Sequence, residues 1–258
     1  MTYLGIHLRS IRSLIAALLL LCAQSLNAQP VTIAVAANMK DAFTEINAAF
    51  QVTGKPELRV VFGSSGNFTA QILSGAPYKL LIAADEHFPL ELYKAGKTID
   101  EGTIYAIGKL AIIAKKSLNL PSAANKVDIA RAITKANKVA IAKPELAPYG
   151  KAAIQYLKSE GLWDLAKDKL IYADNIGAAT MYVASGAADI GFTALSLAMS
   201  PELMKSSSYS LLNHSLYEPI KQRMVLMKGA PIEAVDLYRF MQSPQAKSIL
   251  NKYSYTTP

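Results

Sequence analysis

Four short segments combine small residues with neutral hydrogen-bond donors: Ala36-Ala37-Asn38-Met39, Gly63-Ser64-Ser65-Gly66-Asn67, Ala147-Pro148-Tyr149-Gly150 and Asp174-Asn175-Ile176-Gly177. Each follows an apolar run and precedes a stretch with helical periodicity. A helix start carries main-chain N–H groups with no partner inside the helix, and it is the positive end of the macrodipole. Such a start attracts anions. Four of them, brought together, would surround an oxyanion with donors and no formal charge. Asn38 and Ser65 could add side-chain donors, Tyr149 a phenolic hydroxyl, and Ile176 only its main-chain N–H. Each residue also has a plainer role. Asn38 and Ser65 are of the types that cap their own helices, and Asp41 nearly completes a capping box with Asn38. Pro148 suits a first helical turn, Tyr149 alone reads as a half-buried aromatic, and Ile176 reads as core. The joint pattern favours an anion without naming it.

The elements that must position these segments are legible as an alternation. Val31–Ala36, Leu58–Phe62, Leu80–Ala84, Tyr105–Ala114, Lys138–Ala142, Lys169–Ala173 and Arg223–Met227 are near-continuous apolar runs, the pattern of strands buried on both faces of a parallel sheet. Between them, Met39, Ala42, Phe43, Ile46 and Phe50 fall on one face of a helix. Phe68–Leu73, Ala152–Lys158 and Gly177–Ala184 end near glycines, and Glu233–Tyr253 reads as one or two further helices. The alternation predicts a doubly wound α/β fold. In such sheets ligands bind beyond the carboxyl ends of the strands, where the four segments lie.

The chain has 258 residues, 27 Lys+Arg, 19 Asp+Glu, three His and one Cys. That length supports one or two domains with a core that needs no disulfide. Residues 1–28 carry Arg9 and Arg12, the apolar run Leu14–Cys22 and a small residue at Ala28, the plan of a secretory signal peptide. The run is far shorter than the ~20 residues that span a bilayer. Leu21 stands where lipoprotein signals carry a small residue before their Cys, so cleavage after Ala28 is expected rather than lipidation at Cys22. Cleavage removes the only Cys and lowers the formal charge from +8 to +6. A soluble, exported protein is expected.

Six segments resemble one family. AANMKDAF (Ala36–Phe43), VVFGSSGNFTAQILSGAPYKLLIAAD (Val60–Asp85), YAIGKLAI (Tyr105–Ile112), IAKPELAPYGKAA (Ile141–Ala153), ASGAADIGFTALS (Ala184–Ser196) and YEPIKQRMVL (Tyr217–Leu226) are similar to the periplasmic molybdate-binding proteins of ABC transporters. The resemblance spans essentially the whole chain after the leader. It implies a two-lobed type II periplasmic binding fold, each lobe a mostly parallel sheet flanked by helices. Molybdate or tungstate would be held between the lobes and delivered to a membrane permease. Carried over residue by residue, it implies ligand contacts from Asn38 with Ala37 beside it, from the Ser65 hydroxyl, from the Tyr149 phenol and from the Ile176 N–H. Some members have Ser at the first turn and a Tyr at the position of Ala194. This sequence resembles the subgroup in which the APYG tyrosine supplies that hydroxyl, which leaves Ala194 without a role. The resemblance also implies lobe one over 29–108 and 220–258 and lobe two over 109–219, with hinge closure on the ligand. A monomer without cofactor or free cation site is expected, molybdenum or tungsten being bound only as the oxyanion.

A dianion that carries no proton offers only acceptors and suits a site of donors, whereas hydrogen phosphate would want an acceptor. Sulfate differs mainly in size and stays open as an alternative. A secreted serine hydrolase is the other class. After the leader only His87 and His214 remain, neither in the four segments, and Gly-x-Ser-x-Gly is not matched at Gly63–Gly66. A nucleic-acid module is disfavoured, because Lys115-Lys116 is the only adjacent basic pair after the leader and no basic stripe is interleaved with aromatics.

Overall fold

The structure is a computed structural model that describes residues 30–54 and 57–258. The expected leader, 1–28, and Cys22 lie outside the described residues. Two five-stranded sheets organise the chain. The first holds β1 (Thr32–Ala36), β2 (Arg59–Gly63), β3 (Leu80–Ile82), β4 (Thr103–Gly108) and the late strand β10 (Ile220–Leu226), in the order β2-β1-β3-β10-β4. The second holds β5 (Leu110–Lys115), β6 (Val139–Ala142), β7 (Leu170–Ala173), β8 (Ile190–Ala194) and β9 (Ser207–Leu211), in the order β7-β6-β8-β5-β9.

The helices are α1 (Lys40–Gln51), α2 (Ser65–Leu73), α3 (His87–Lys94), α4 (Lys126–Lys135), α5 (Pro148–Ser159), α6 (Trp163–Ala166), α7 (Ile176–Ala184), α8 (Leu195–Ala198), α9 (Pro201–Ser206), α10 (Ile232–Phe240) and α11 (Pro244–Lys252). The α1 stripe behaves as its spacing requires: Ala42, Phe43, Ile46 and Phe50 are all buried. One apolar cluster packs on the second sheet, with Ile112, Ile141 and Phe192 inside it. Two others cover opposite faces of the first sheet, around Phe43 and around Phe68. The molecule is therefore two-lobed, one lobe to each sheet.

In each sheet four strands run one way and the fifth opposes them. The odd strand is β10 in the first sheet, antiparallel to β3 and β4, and β5 in the second, antiparallel to β8 and β9. Each is the first strand made after the chain crosses from the other sheet. The Tyr105–Ala114 run, expected as one strand, is two. It breaks at Lys109, so that β4 belongs to the first sheet and β5 to the second. Both halves are buried, and hydropathy alone carries no mark of a change of sheet.

This topology sets the site. β1 and β2 are parallel neighbours with Ala36 opposite Gly63, and β6 and β7 are parallel neighbours with Ala142 opposite Ala173. The four donor-rich segments therefore leave two adjacent pairs of strand ends, one pair in each sheet. No helix among the described residues is long and apolar enough to cross a membrane.

Candidate oxyanion site

The four segments meet around a small cavity of about 10 Å³, and Ala37, Asn38, Ser65, Tyr149 and Ile176 all line it. None of its lining residues is charged. Gly63, Ser64 and Ala84 line it from the first sheet, Ala147 and Pro148 from the second. Among the described residues no group of three His, Cys, Asp or Glu side chains is placed to hold a metal ion.

Ser65 does not cap its helix. Ser64 is the N-cap of α2 and accepts the Asn67 N–H at 3.3 Å. Ser65 is the first helical residue, and its Oγ accepts the Ala84 N–H at 2.9 Å. A hydroxyl that accepts in this way keeps its own proton to donate elsewhere. The next N–H, of Gly66, goes to the Leu146 carbonyl oxygen of the other lobe at 3.0 Å. A Cβ on Gly66 would run into the Phe88 ring and the Leu146 main chain, so this approach of α2 to the Leu146 loop needs glycine.

Asn38 also departs from capping. It lies in a 3-10 turn, Ala37–Met39, that precedes α1 and whose N-cap is Ala36. The Asn38 side-chain amide donates to Gln222 Oε1 at 3.0 Å and to the Tyr255 hydroxyl at 2.8 Å. Both amide hydrogens are thus used inside the protein, and what Asn38 offers the cavity is its main-chain N–H at a helix start. The Asn38 Oδ1 is buried without a hydrogen-bond partner.

Tyr149 stands in the first turn of α5, after Pro148, and is 1% exposed. Its hydroxyl oxygen accepts from Gln222 Nε2 at 3.1 Å. Burial pushes the phenol well above its ordinary value, so it stays protonated. Ile176 opens α7, whose N-cap Asn175 takes the Ala178 N–H at 2.9 Å. That leaves the N–H groups of Ile176 and Gly177 without helical partners. Asp174, which could have placed a carboxylate here, turns out to solvent and pairs with Lys143 at 2.7 Å.

Behind the cavity lies a polar layer that the sequence did not single out: Tyr105, Ser196, Gln222 and Tyr255, all buried. The Tyr255 hydroxyl donates to the Asn38 carbonyl oxygen at 2.9 Å, and Ser196 donates to the same oxygen at 2.9 Å. Tyr105 donates to the Ala83 carbonyl oxygen at 2.8 Å and lies 2.8 Å from Gln222 Oε1. Gln222 had one signal, an uncharged polar side chain beside an apolar run. Tyr255, close to the C-terminus, had none.

Two wider grooves flank the cavity. One carries Asp85, Glu86, Glu145 and Glu218 against Lys151 and Lys221; the other carries Asp41 and Glu202 against Lys40. Both hold more carboxylates than cations and repel a small dianion. The neutral cavity is the place that suits one. Buried donors there act in a low dielectric, where each hydrogen bond to a charge contributes about 1.5–3 kcal/mol.

Comparison with known proteins gives the family of the chain. The sequence model of the bacterial extracellular solute-binding proteins matches residues 31–256. The chain is 35% identical over 243 residues to the molybdate-binding protein ModA of Azotobacter vinelandii, covering 92% of this chain and 93% of that one. It is 34% identical over 232 residues to ModA of Rhodobacter capsulatus, covering 88% of each. The solved Azotobacter vinelandii periplasmic molybdate-binding protein superimposes with a TM-score of 0.79 at 30% identity, over 88% of this chain and 99% of that one.

Proposed function

The chain belongs to the bacterial extracellular solute-binding proteins, and on that premise we propose that it captures molybdate or tungstate between its lobes for an ABC-transporter permease. The observation that carries this reading is the cavity itself: helix starts from both lobes converge on it, and no charged residue lines it. A tetrahedral dianion without protons presents acceptors in every direction, and this wall presents donors. In this reading Ser65 and Tyr149 donate hydroxyl protons, while Ala37, Asn38 and Ile176 donate main-chain N–H groups. The metal enters only as the oxyanion, and the protein is a carrier rather than an enzyme.

The similarity to a protein named periplasmic supports an exported, periplasmic location; we take residues 1–28 as the leader and the carrier as a monomer. We assign lobe one to 29–108 with 220–258 and lobe two to 109–219, because the chain changes sheet between Gly108 and Leu110 and returns between Leu211 and Ile220. Closure would bring the two pairs of helix starts onto one ligand. Delivery to a permease follows from the family and requires a docking face on each lobe.

One observation favours a second reading. The buried, unpartnered Asn38 Oδ1 is an acceptor beside the cavity, which would suit an anion that keeps a proton, such as hydrogen phosphate. A calorimetric panel of molybdate, tungstate, sulfate and phosphate on the leader-free chain decides. Molybdate and tungstate should bind far more tightly than the other two; tighter phosphate or sulfate binding overturns the assignment.

A further inference from the structure

We propose that Gln222 is a positioning residue that sets the direction of the Tyr149 hydroxyl proton, making the phenol a donor toward the bound oxyanion. This rests on the oxyanion reading of the cavity.

Gln222 lies on β10 in the first lobe and is fully buried. A carboxamide has two unlike ends: its oxygen only accepts and its nitrogen only donates. Which end faces Tyr149 decides what the phenol can do. If the oxygen faced it, the phenol would spend its proton on Gln222. With the nitrogen facing it, the phenolic oxygen is an acceptor on that side and the proton is released for another partner.

The polarity is anchored at one main-chain carbonyl, that of Asn38. The Tyr255 hydroxyl gives its proton to the Asn38 carbonyl oxygen at 2.9 Å. The side-chain atom of Asn38 that meets the Tyr255 oxygen at 2.8 Å is then the nitrogen. That same nitrogen meets Gln222 at 3.0 Å, so the Gln222 atom there is the oxygen. The nitrogen of Gln222 is left for Tyr149, at 3.1 Å. The order of donors runs from Tyr255 through Asn38 and Gln222 to Tyr149, while the Tyr105 hydroxyl, 2.8 Å from both the Ala83 carbonyl oxygen and Gln222 Oε1, shares one proton between them.

A second observation is independent of these bonds. Gly108, on neighbouring β4, lies where any Cβ would collide with both the Tyr149 hydroxyl and the Gln222 nitrogen. Only glycine there leaves space for the two to meet. The contact also spans the lobes, because Tyr149 opens α5, which follows β6 of the second sheet. Tyr149 is therefore held as a donor when the lobes are together.

The test is a double-variant cycle read by calorimetric titration with sodium molybdate. Tyr149→Phe and Gln222→Leu should each weaken binding about ten- to hundredfold. The double variant should bind no more weakly than Tyr149→Phe alone, because Gln222 acts through that hydroxyl. Losses that multiply, or a Gln222→Leu protein that binds like wild type, overturn the inference while leaving the oxyanion reading intact. Failure of wild type to bind any of molybdate, tungstate, sulfate or phosphate overturns both.

If Gln222→Leu does not fold, Gln222→Glu decides, since it keeps the shape. The introduced carboxylate would take the Tyr149 proton and weaken binding at about pH 8. Protonated toward about pH 5, the carboxyl can donate as the amide does, and affinity should recover. The titratable groups around position 222 are Tyr105, Tyr149 and, through Asn38, Tyr255, and burial holds all three above their ordinary values. Asp85, which acts on Tyr105, is common to wild type, whose profile is the reference. A Gln222→Glu protein with wild-type affinity and wild-type pH dependence overturns the inference.

Discussion

The hydroxyl oxygen of Ser65 accepts the main-chain N–H of Ala84 at 2.9 Å, so the orientation of this side chain is fixed by a strand end of its own lobe. The proton that remains is the one donor Ser65 can offer to the cavity. Ser65→Ala removes that donor and strands the Ala84 N–H. We expect molybdate affinity to fall by about 1.5–3 kcal/mol, roughly ten- to hundredfold. Ser65→Thr keeps the hydroxyl and should retain more affinity than Ser65→Ala. Equal affinities for wild type and Ser65→Ala, measured by calorimetry, would remove Ser65 from the site.

Tyr149 donates only while protonated, and burial raises its titration well above that of a free phenol. The other contacts are a serine hydroxyl and main-chain amides, which do not titrate in the accessible range. Molybdate affinity should therefore stay flat from about pH 7 to about pH 9.5 and fall only above the ordinary phenol value near 10. A titration series in that range checks this. A drop centred below about pH 9 would mean that a different, ionising group supports the ligand.

The parts of this fold that could be read from sequence are those fixed by local pattern. The apolar run at Val31–Ala36 becomes β1, and the stripe of Ala42, Phe43, Ile46 and Phe50 is the buried face of α1. The five residues singled out at strand-to-helix turns line one cavity because parallel neighbours place their ends side by side. What escaped was non-local. Lys109 ends one sheet and begins the passage to the other with no change of hydropathy. Asn38 looked like a donor by type, yet its amide is committed to Gln222 and Tyr255, residues 184 and 217 positions away. No spacing rule connects such partners. Only the return of β10 to the first sheet and the last turn of chain bring them together.

The Gly66 N–H reaches the Leu146 carbonyl oxygen at 3.0 Å, a direct link from α2 to the loop before α5. A methyl group at position 66 would meet the Leu146 main chain, which cannot rotate away as a flexible side chain would. Gly66→Ala should hold the lobes apart, weaken molybdate binding at least tenfold, and leave the ligand-free thermal midpoint close to wild type. The contrast between the two measurements separates impaired closure from general destabilisation. Wild-type affinity in Gly66→Ala would mean that the lobes close without this contact.

Asp85 follows the cavity residue Ala84 and faces one of the flanking grooves. Removal from water pushes its carboxyl up to about 6, against the opposing pull of the Phe88 N–H at 3.3 Å and of the nearby His87 and Lys151. The folded state thus prefers the protonated acid. The stabilisation this supplies is complete below the ordinary value of 3.8 and is lost as pH rises through about 6. Near neutral pH the folded protein carries a dehydrated carboxylate at a cost of about 2–3 kcal/mol. Asp85→Asn keeps the acceptor for Phe88 and removes the charge. It should raise the thermal midpoint by roughly 5–10 °C at about pH 7.5, and the advantage should shrink to nothing by about pH 3. Differential scanning calorimetry at both pH values checks the sign. A gain that persists unchanged at low pH would have to come from packing, since the carboxyl of wild type is then already neutral.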